Sequence, residues 1–323
     1  MRFACAAVAF VMLGSAALPQ TSTTVLEVVS HTPEIDKSTQ THDVQFKRDA
    51  NDRMTVAVKL SGAGPYRFLV DTGADRTAIS RQLASRLKLP PGKSARLHSI
   101  SGASVVQTAN LPQMELNQKV IRDIEAPMLE ATNMGADGIL GVDSLRSERV
   151  LFDFKKKTMA IVPSTPNAIP FEKDTIVVTG RLKNGRLLMT DAVADTQRLS
   201  VVVDTGSQVT IANHALRRKL AGKGMLRRSG TVEIQSVTGQ KMTGDYMFLS
   251  QLEVGNLTLK DLAIVFADVH TFKQLGLSER PALLLGMNAM RAFDRVSIDF
   301  ANRKLRVVLP QHSSLDTQRL AAL

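Results

Sequence analysis

The body of this chain is one unit written twice, and that duplication constrains the fold more than any other feature. Phe68-Leu69-Val70-Asp71-Thr72-Gly73-Ala74 is matched by Val201-Val202-Val203-Asp204-Thr205-Gly206-Ser207, at an offset of 204 − 71 = 133 residues. Ser99-Ile100-Ser101-Gly102 is echoed by Ser236-Val237-Thr238-Gly239, at an offset of 137. Gly138-Ile139-Leu140-Gly141-Val142-Asp143 then returns as Leu283-Leu284-Leu285-Gly286-Met287-Asn288, at an offset of 145. Each copy closes with an Asp-Phe pair, Asp153-Phe154 and Asp299-Phe300. Repeated features in one order, at slowly growing offsets, mark a duplicated domain with loop insertions in its second copy.

The local patterns within each copy are those of short strands. Thr55-Val56-Ala57-Val58 alternates before the turn-rich Ser61-Gly62-Ala63-Gly64-Pro65, and Arg67 to Val70 runs directly into Asp71. Thr175-Ile176-Val177-Val178 is expected to open the second copy in the same way, with a turn at Asn184-Gly185. Short helices are expected near Ser80 to Leu87 and His214 to Leu220, and Asp143 and Asn288 suit the N-cap of another in each copy. Few long helical patterns and frequent turns give a mostly β fold. The 4% aromatic content, with no Trp, requires cores that are largely aliphatic.

The boundaries follow. Met1-Arg2, the apolar run Phe3 to Leu13 and the small residues Gly14-Ser15-Ala16-Ala17 form a secretory signal segment, residues 1–17, with cleavage expected after Ala17. Residues 18–43 are an N-terminal arm or pro-segment, 44–162 the first lobe, 163–173 a linker carrying Pro163, Pro166 and Pro170, 174–309 the second lobe and 310–323 a tail. The chain is therefore expected to be exported, to the periplasm or the medium, and not stably inserted in a membrane once the signal is removed. Cys5, the single cysteine, would leave with that segment, which excludes a disulfide framework and any Cys-based zinc site.

Composition removes other classes. The net charge is +11, from 41 Lys and Arg against 30 Asp and Glu, but the excess is dispersed and lacks an aromatic platform. Nucleic acid is therefore not an expected partner. No G-x-S-x-G elbow is present, and none of the six His forms an H-E-x-x-H motif, so neither metal nor cofactor is expected.

A single Asp-Thr-Gly is a common tight turn, with Gly supplying a permissive backbone. Two copies, each after an apolar strand and each followed at a distance by apolar-apolar-Gly, are another matter. This arrangement resembles the aspartic peptidases, in particular the retropepsin-like branch, over roughly Val44 to Leu309. The resemblance implies two tandem acid-protease lobes in one chain about a pseudo-twofold axis, with Asp71 and Asp204 as the catalytic pair of an aspartic endopeptidase. It implies supporting roles for Thr72, Gly73, Thr205 and Gly206, each Thr bonding the opposite loop. Each Ile-Leu-Gly or Leu-Leu-Gly segment would pass behind its own active loop. Ile100, Ser101 and Gly102, with Val237, Thr238 and Gly239, would form two substrate-binding flaps over an extended peptide or unfolded protein.

Two departures qualify the likeness. Val142 and Met287 stand where retroviral enzymes have Arg, so the viral-type interlobe ion pair is not expected. Neither flap carries the Tyr of pepsin's flap, since Tyr246 lies beyond the turn. With both copies in one chain, a monomer suffices. Two readings from other classes stand beside the enzyme: a catalytically silent peptide-binding protein that kept the cleft, and a basic scaffold that binds anionic polymer.

Overall fold

A computed structural model of the chain describes residues 44–45, 54–117, 119–164, 174–221 and 226–310. The signal segment, the arm, nearly all of the linker and the tail beyond Pro310 lie outside the described residues. The protein is mostly β, with two barrel-like lobes bridged by a shared sheet.

In the first lobe seven strands run in the order Thr55–Leu60, Ala63–Val70, Gly138–Leu140, Ala78–Ser80, Lys119–Leu129, Gly102–Leu116, Pro91–Ser99. Pairing of Lys59 and Leu60 with Glu115 and Met114 brings Thr55–Leu60 onto Gly102–Leu116 and curls the sheet on itself. The second lobe repeats the plan with eight strands, and Arg186–Ala194 pairs with Lys241–Val254 in the same way. Closure leaves fewer free edges and wraps an apolar interior. That interior is aliphatic, as the composition requires, with Val58, Ile79, Leu111 and Met114 buried in one lobe and Val201, Ile211, Leu259 and Leu284 in the other.

Asn184 and Gly185 both take positive φ, 49° and 80°, and close a tight hairpin between Arg181–Lys183 and Arg186–Ala194. The strand Thr175–Thr179, however, does not open the second lobe as Thr55–Leu60 opens the first. It pairs with Lys304–Val308 in a separate sheet, and the true counterpart of Thr55–Leu60 is Arg186–Ala194. Apolar alternation marks a half-buried strand without saying which sheet it joins.

That separate sheet joins the lobes. Its order is Val44–Gln45, Thr158–Pro163, Glu148–Asp153, Arg295–Asp299, Lys304–Val308, Thr175–Thr179, so the sequence of strands reads the same from either end. At its centre Glu148–Asp153 and Arg295–Asp299 run antiparallel, with Arg149 opposite Asp299 and Arg295 opposite Asp153. Arg149 sends Nε and a terminal nitrogen to Asp299 Oδ2 at 3.0 and 2.8 Å, with both side chains at 1% exposure or less. Asp299 also accepts from Ser164 Oγ at 2.6 Å and from Asn302, and a second guanidinium, Arg306, lies 3.8 Å away. Burial alone would raise the carboxyl of Asp299, but the bonds from Ser164, Asn302 and Arg149 outweigh it and hold it below the usual range. Lys155 and Asp294 make a second ion pair between lobes, at 3.1 Å.

Removing the carboxylate while keeping its shape takes away the charge that faces the guanidinium groups of Arg149 and Arg306. We expect Asp299→Asn to lower unfolding stability by ~3–5 kcal/mol, read as a shift in urea midpoint with the slope unchanged.

Candidate active site

Each Asp-Thr-Gly loop is the end of a strand held from behind. Ala63–Val70 delivers Asp71, and Gly138–Leu140 runs parallel beside it, with Leu140 C=O accepting from Asp71 N at 3.0 Å. Gln197–Val203 and Ala282–Leu285 repeat the arrangement, with Leu285 C=O accepting from Asp204 N at 3.1 Å. The glycines that end these return strands sit so close to the loop that a Cβ would collide: Gly141 against the backbone of Arg76, Gly286 against that of Val209. The apolar-apolar-Gly segments therefore do pass behind their own loops, and Gly is required there for close approach.

A threonine pins each loop to its return strand. Thr77 Oγ1 accepts from Gly141 N and donates to Asp143 Oδ1, while Thr210 Oγ1 accepts from Gly286 N and donates to Asn288 Oδ1. Asp143 and Asn288 are thus not N-caps. The helices Val142–Leu145 and Met287–Met290 begin at Gly141 and Gly286 with no side-chain cap, because the carboxylate and amide are turned toward the threonines. The short helix expected near Ser80 to Leu87 forms as Arg81–Arg86, and Ser80 Oγ caps it by accepting from Leu83 N at 3.1 Å.

The two loops meet tip to tip. Thr72 N donates to Thr205 Oγ1 at 3.0 Å, and Thr205 N donates to Thr72 Oγ1 at 3.0 Å. Each hydroxyl in turn donates to a carbonyl of the opposite strand, Thr72 to Val203 at 2.9 Å and Thr205 to Val70 at 2.8 Å. Both threonines are buried, so these four bonds replace water entirely. Gly73 N donates to Asp71 Oδ1 at 2.8 Å and Gly206 N to Asp204 Oδ1 at 3.0 Å. A Cβ on Gly73 would press into the Asp204 carboxyl, and one on Gly206 into that of Asp71. Each carboxyl therefore lies over the glycine of the other loop.

Burial and the neighbouring Asp71 raise the carboxyl of Asp204 to about 7. Arg186 and the backbone N–H groups of Gly206 and Ser207 pull the other way and are outweighed. Arg186 was not singled out by the sequence, yet it ties the lobes together beside the site. Its Nε donates to Gly73 C=O at 2.7 Å and its terminal nitrogen lies 2.7 Å from Asp75 Oδ1. An interlobe ion pair is thus present although the arginines of the viral enzymes are missing. It is made from a different position.

Ile100 and Ser101 form the tip of the hairpin whose strands pair from Ser99 and Gly102 outward, and residues 236–240 form the tip of the second. Both tips cross to the opposite lobe. Ile100 packs on a second-lobe apolar cluster with Val269 and Phe272, and its C=O accepts from His270 N at 2.8 Å. Val237 packs on a first-lobe cluster with Leu69 and Ile139, and shares with them a cavity that also touches Asp71 and Gly206. Ser101 Oγ reaches Gln240 Oε1 at 2.7 Å, joining one tip to the other. Thr238 Oγ1 bonds Ser236 Oγ within its own turn, and Gly102 and Gly239 take positive φ of 145° and 83°. Among the described residues no three His, Cys, Asp or Glu side chains are grouped to hold a metal ion.

Comparison with known families separates the two lobes cleanly. The family model for gag-polyprotein aspartyl proteases matches residues 56–147, and the family model described as aspartyl protease matches residues 190–289. The chain belongs to the aspartyl proteases. Its two protease domains stand in tandem, consistent with a two-lobe retropepsin-like protein. No curated protein matches the chain.

The raised carboxyl of Asp204 has a consequence for the folded state of this protein. Its proton is held more tightly folded than unfolded, so the contribution is favourable in acid and is lost as pH rises from about 4 to about 7. Asp204→Asn removes the ionisation. We expect the melting temperature of the parent to fall across that window relative to the variant, as read by differential scanning calorimetry at several pH values.

Proposed function

We propose that this protein is an aspartic endopeptidase in which Asp71 and Asp204 share one proton and activate a water molecule between them. The observation that carries this reading is the reciprocal Thr72–Thr205 lock, which holds the two carboxyl groups over one another's glycines. Carboxyl groups so close cannot both ionise at low cost, so the pair retains a proton at pH values where a lone Asp is charged. The pair titrates as a unit, with the burial of Asp204 favouring the proton's residence there.

The chemistry then follows in order. The ionised carboxylate takes a proton from water as its oxygen attacks the scissile carbonyl carbon, and the protonated partner gives its proton to the carbonyl oxygen. The tetrahedral diol collapses as the now ionised carboxylate takes a hydroxyl proton, the carboxyl that took the water's proton gives it to the leaving nitrogen, and the C–N bond breaks. The substrate is an extended peptide, which two hairpins that cross from one lobe to the other would hold by backbone pairing. Unfolded protein supplies such segments. Residues 1–17 direct export and are then removed, and the single chain works as a monomer.

The test is cleavage of an unfolded protein by the mature chain from pH 3 to 8, beside Asp71→Asn and Asp204→Asn. We expect cleavage by the parent to weaken as pH rises through about 7, where the pair loses its proton. Each variant, folded by circular dichroism, is expected to be slower by ~10²–10⁴-fold or more. Cleavage that survives either substitution contradicts the shared-proton mechanism. A parent that binds peptide without cutting it supports the silent peptide-binding alternative.

A further inference from the structure

The hairpin carrying Ile100 is fastened to the opposite lobe by a pair of histidines that the proposed chemistry does not use. His98 stands at the end of the strand Pro91–Ser99 in the first lobe, and His270 opens the helix His270–Gln274 in the second. His98 Nδ1 and His270 Nε2 are 2.8 Å apart. The ring centroids are 5.1 Å apart and the planes differ by 6°. That centroid separation exceeds the nitrogen distance by about one ring radius at each end, so the rings meet end-on in nearly one plane rather than face to face. The two nitrogens point at each other, and His270 Nε2 also lies 3.1 Å from the side-chain amide nitrogen of Gln274. No shared outward point is left where both lone pairs would converge on a metal.

Such a contact depends on its proton count. With both rings neutral, one nitrogen donates and the other accepts. With one ring protonated the bond persists and is charge-assisted. With both protonated, two N–H groups face each other and the bond is replaced by repulsion. From these juxtaposed rings we infer that His98 and His270 form an acid-sensitive latch, which adds to the Ile100 contacts in holding the first flap down on the second lobe near neutral pH and loosens it in acid. The inference rests on reading the hairpin as a flap over Asp71 and Asp204.

The surroundings oppose a second proton on the pair. Burial, His98 and Lys273 together hold the imidazole of His270 below its ordinary range. Arg96 shares the face of the flap strand with His98, and the ammonium of Lys183 approaches Gly276 at the far end of the helix. The nearby carboxylates have other partners: Asp268 receives His214, and Glu279 faces Arg218 at 3.9 Å. On the second hairpin Lys241 is paired with Glu233. Folded and closed, His270 binds its proton weakly, so lowering the pH favours the state in which the rings have parted. Among the described residues the second flap makes no such contact with its own resting place. Gly239 lies against the amide of Asn133, and Gln235 reaches the same amide at 3.5 Å, and neither group titrates. The latch is therefore one-sided.

Hydrogen exchange followed by mass spectrometry tests this without any turnover, so its outcome is independent of whether the protein cuts peptides. The full chain, His98→Leu and His270→Leu are compared from pH 8 to pH 5, each corrected for intrinsic exchange. In the parent we expect protection at the tip of the first hairpin to fall by ~5–10-fold toward pH 5, with the second hairpin unchanged. Both variants are expected to show that lower protection already at pH 8, with no further fall, while the strands Glu148–Asp153 and Arg295–Asp299 stay protected and report an intact fold. Protection of the first tip that is independent of pH in the parent would overturn the latch. A fall that persists in either variant, or variants as protected as the parent at pH 8, would do the same.

Discussion

Four hydrogen bonds that Thr72 and Thr205 make across the lobes are the constraint on which the rest of this structure depends. Each threonine gives its backbone N–H to the other's hydroxyl and its own hydroxyl to a carbonyl in the opposite lobe. Because both residues are buried, none of these groups has water as an alternative, and separating the loops would leave four donors unpaired at once. The lock fixes the loops in contact, and the contact brings Asp71 and Asp204 together. Burial first, and then the neighbouring carboxyl of Asp71, raise the carboxyl of Asp204. The interlobe sheet and the Arg186 contacts work to the same end from below and beside.

Carrying both lobes in one chain allows the halves to differ while the lock stays symmetric. Asp71 is half-buried, whereas Asp204 is at 6% exposure. Asp75, four residues after the first Asp, meets Arg186, while the matching Gln208 accepts from Arg291 within its own lobe. Asp143 and Asn288 perform one task with different charge. The hairpin tips show the same divergence, one crossing onto imidazole and the other onto an amide.

The duplicated motifs made the two lobes, the mostly β class and the placing of Asp71 beside Asp204 legible, because those features are local and occur twice. What escaped was long-range pairing. Arg149-Val150-Leu151-Phe152-Asp153 and Arg295-Val296-Ser297-Ile298-Asp299 repeat at an offset of 146, and their shared Arg-x-x-x-Asp spacing is what lets the central strands pair charge to charge. Only the trailing Asp-Phe was read, since an Arg in a strand resembles an edge residue until its partner strand is known. Thr77 and Thr210, each six residues after its Asp, left the same kind of unread signal. Arg186 precedes Asp204 by eighteen residues, as Arg53 precedes Asp71, but that spacing has no meaning until the lobes are docked. Asp143 and Asn288 suited a cap by residue type, and a buried threonine competed for them successfully. The crossing of each hairpin tip onto the other lobe could not be inferred from turn chemistry, which specifies a bend and not where it lands.

The claim most central to this account is that the two carboxyl groups hold one proton between them. Carbon-13 NMR of the folded protein, with Asp carboxyl carbons labelled and assigned through Asp71→Asn and Asp204→Asn, follows that proton directly from pH 3 to 8. The account predicts two linked steps, the second near neutral pH and absent from either variant. Two independent titrations in the ordinary carboxylate range would contradict it.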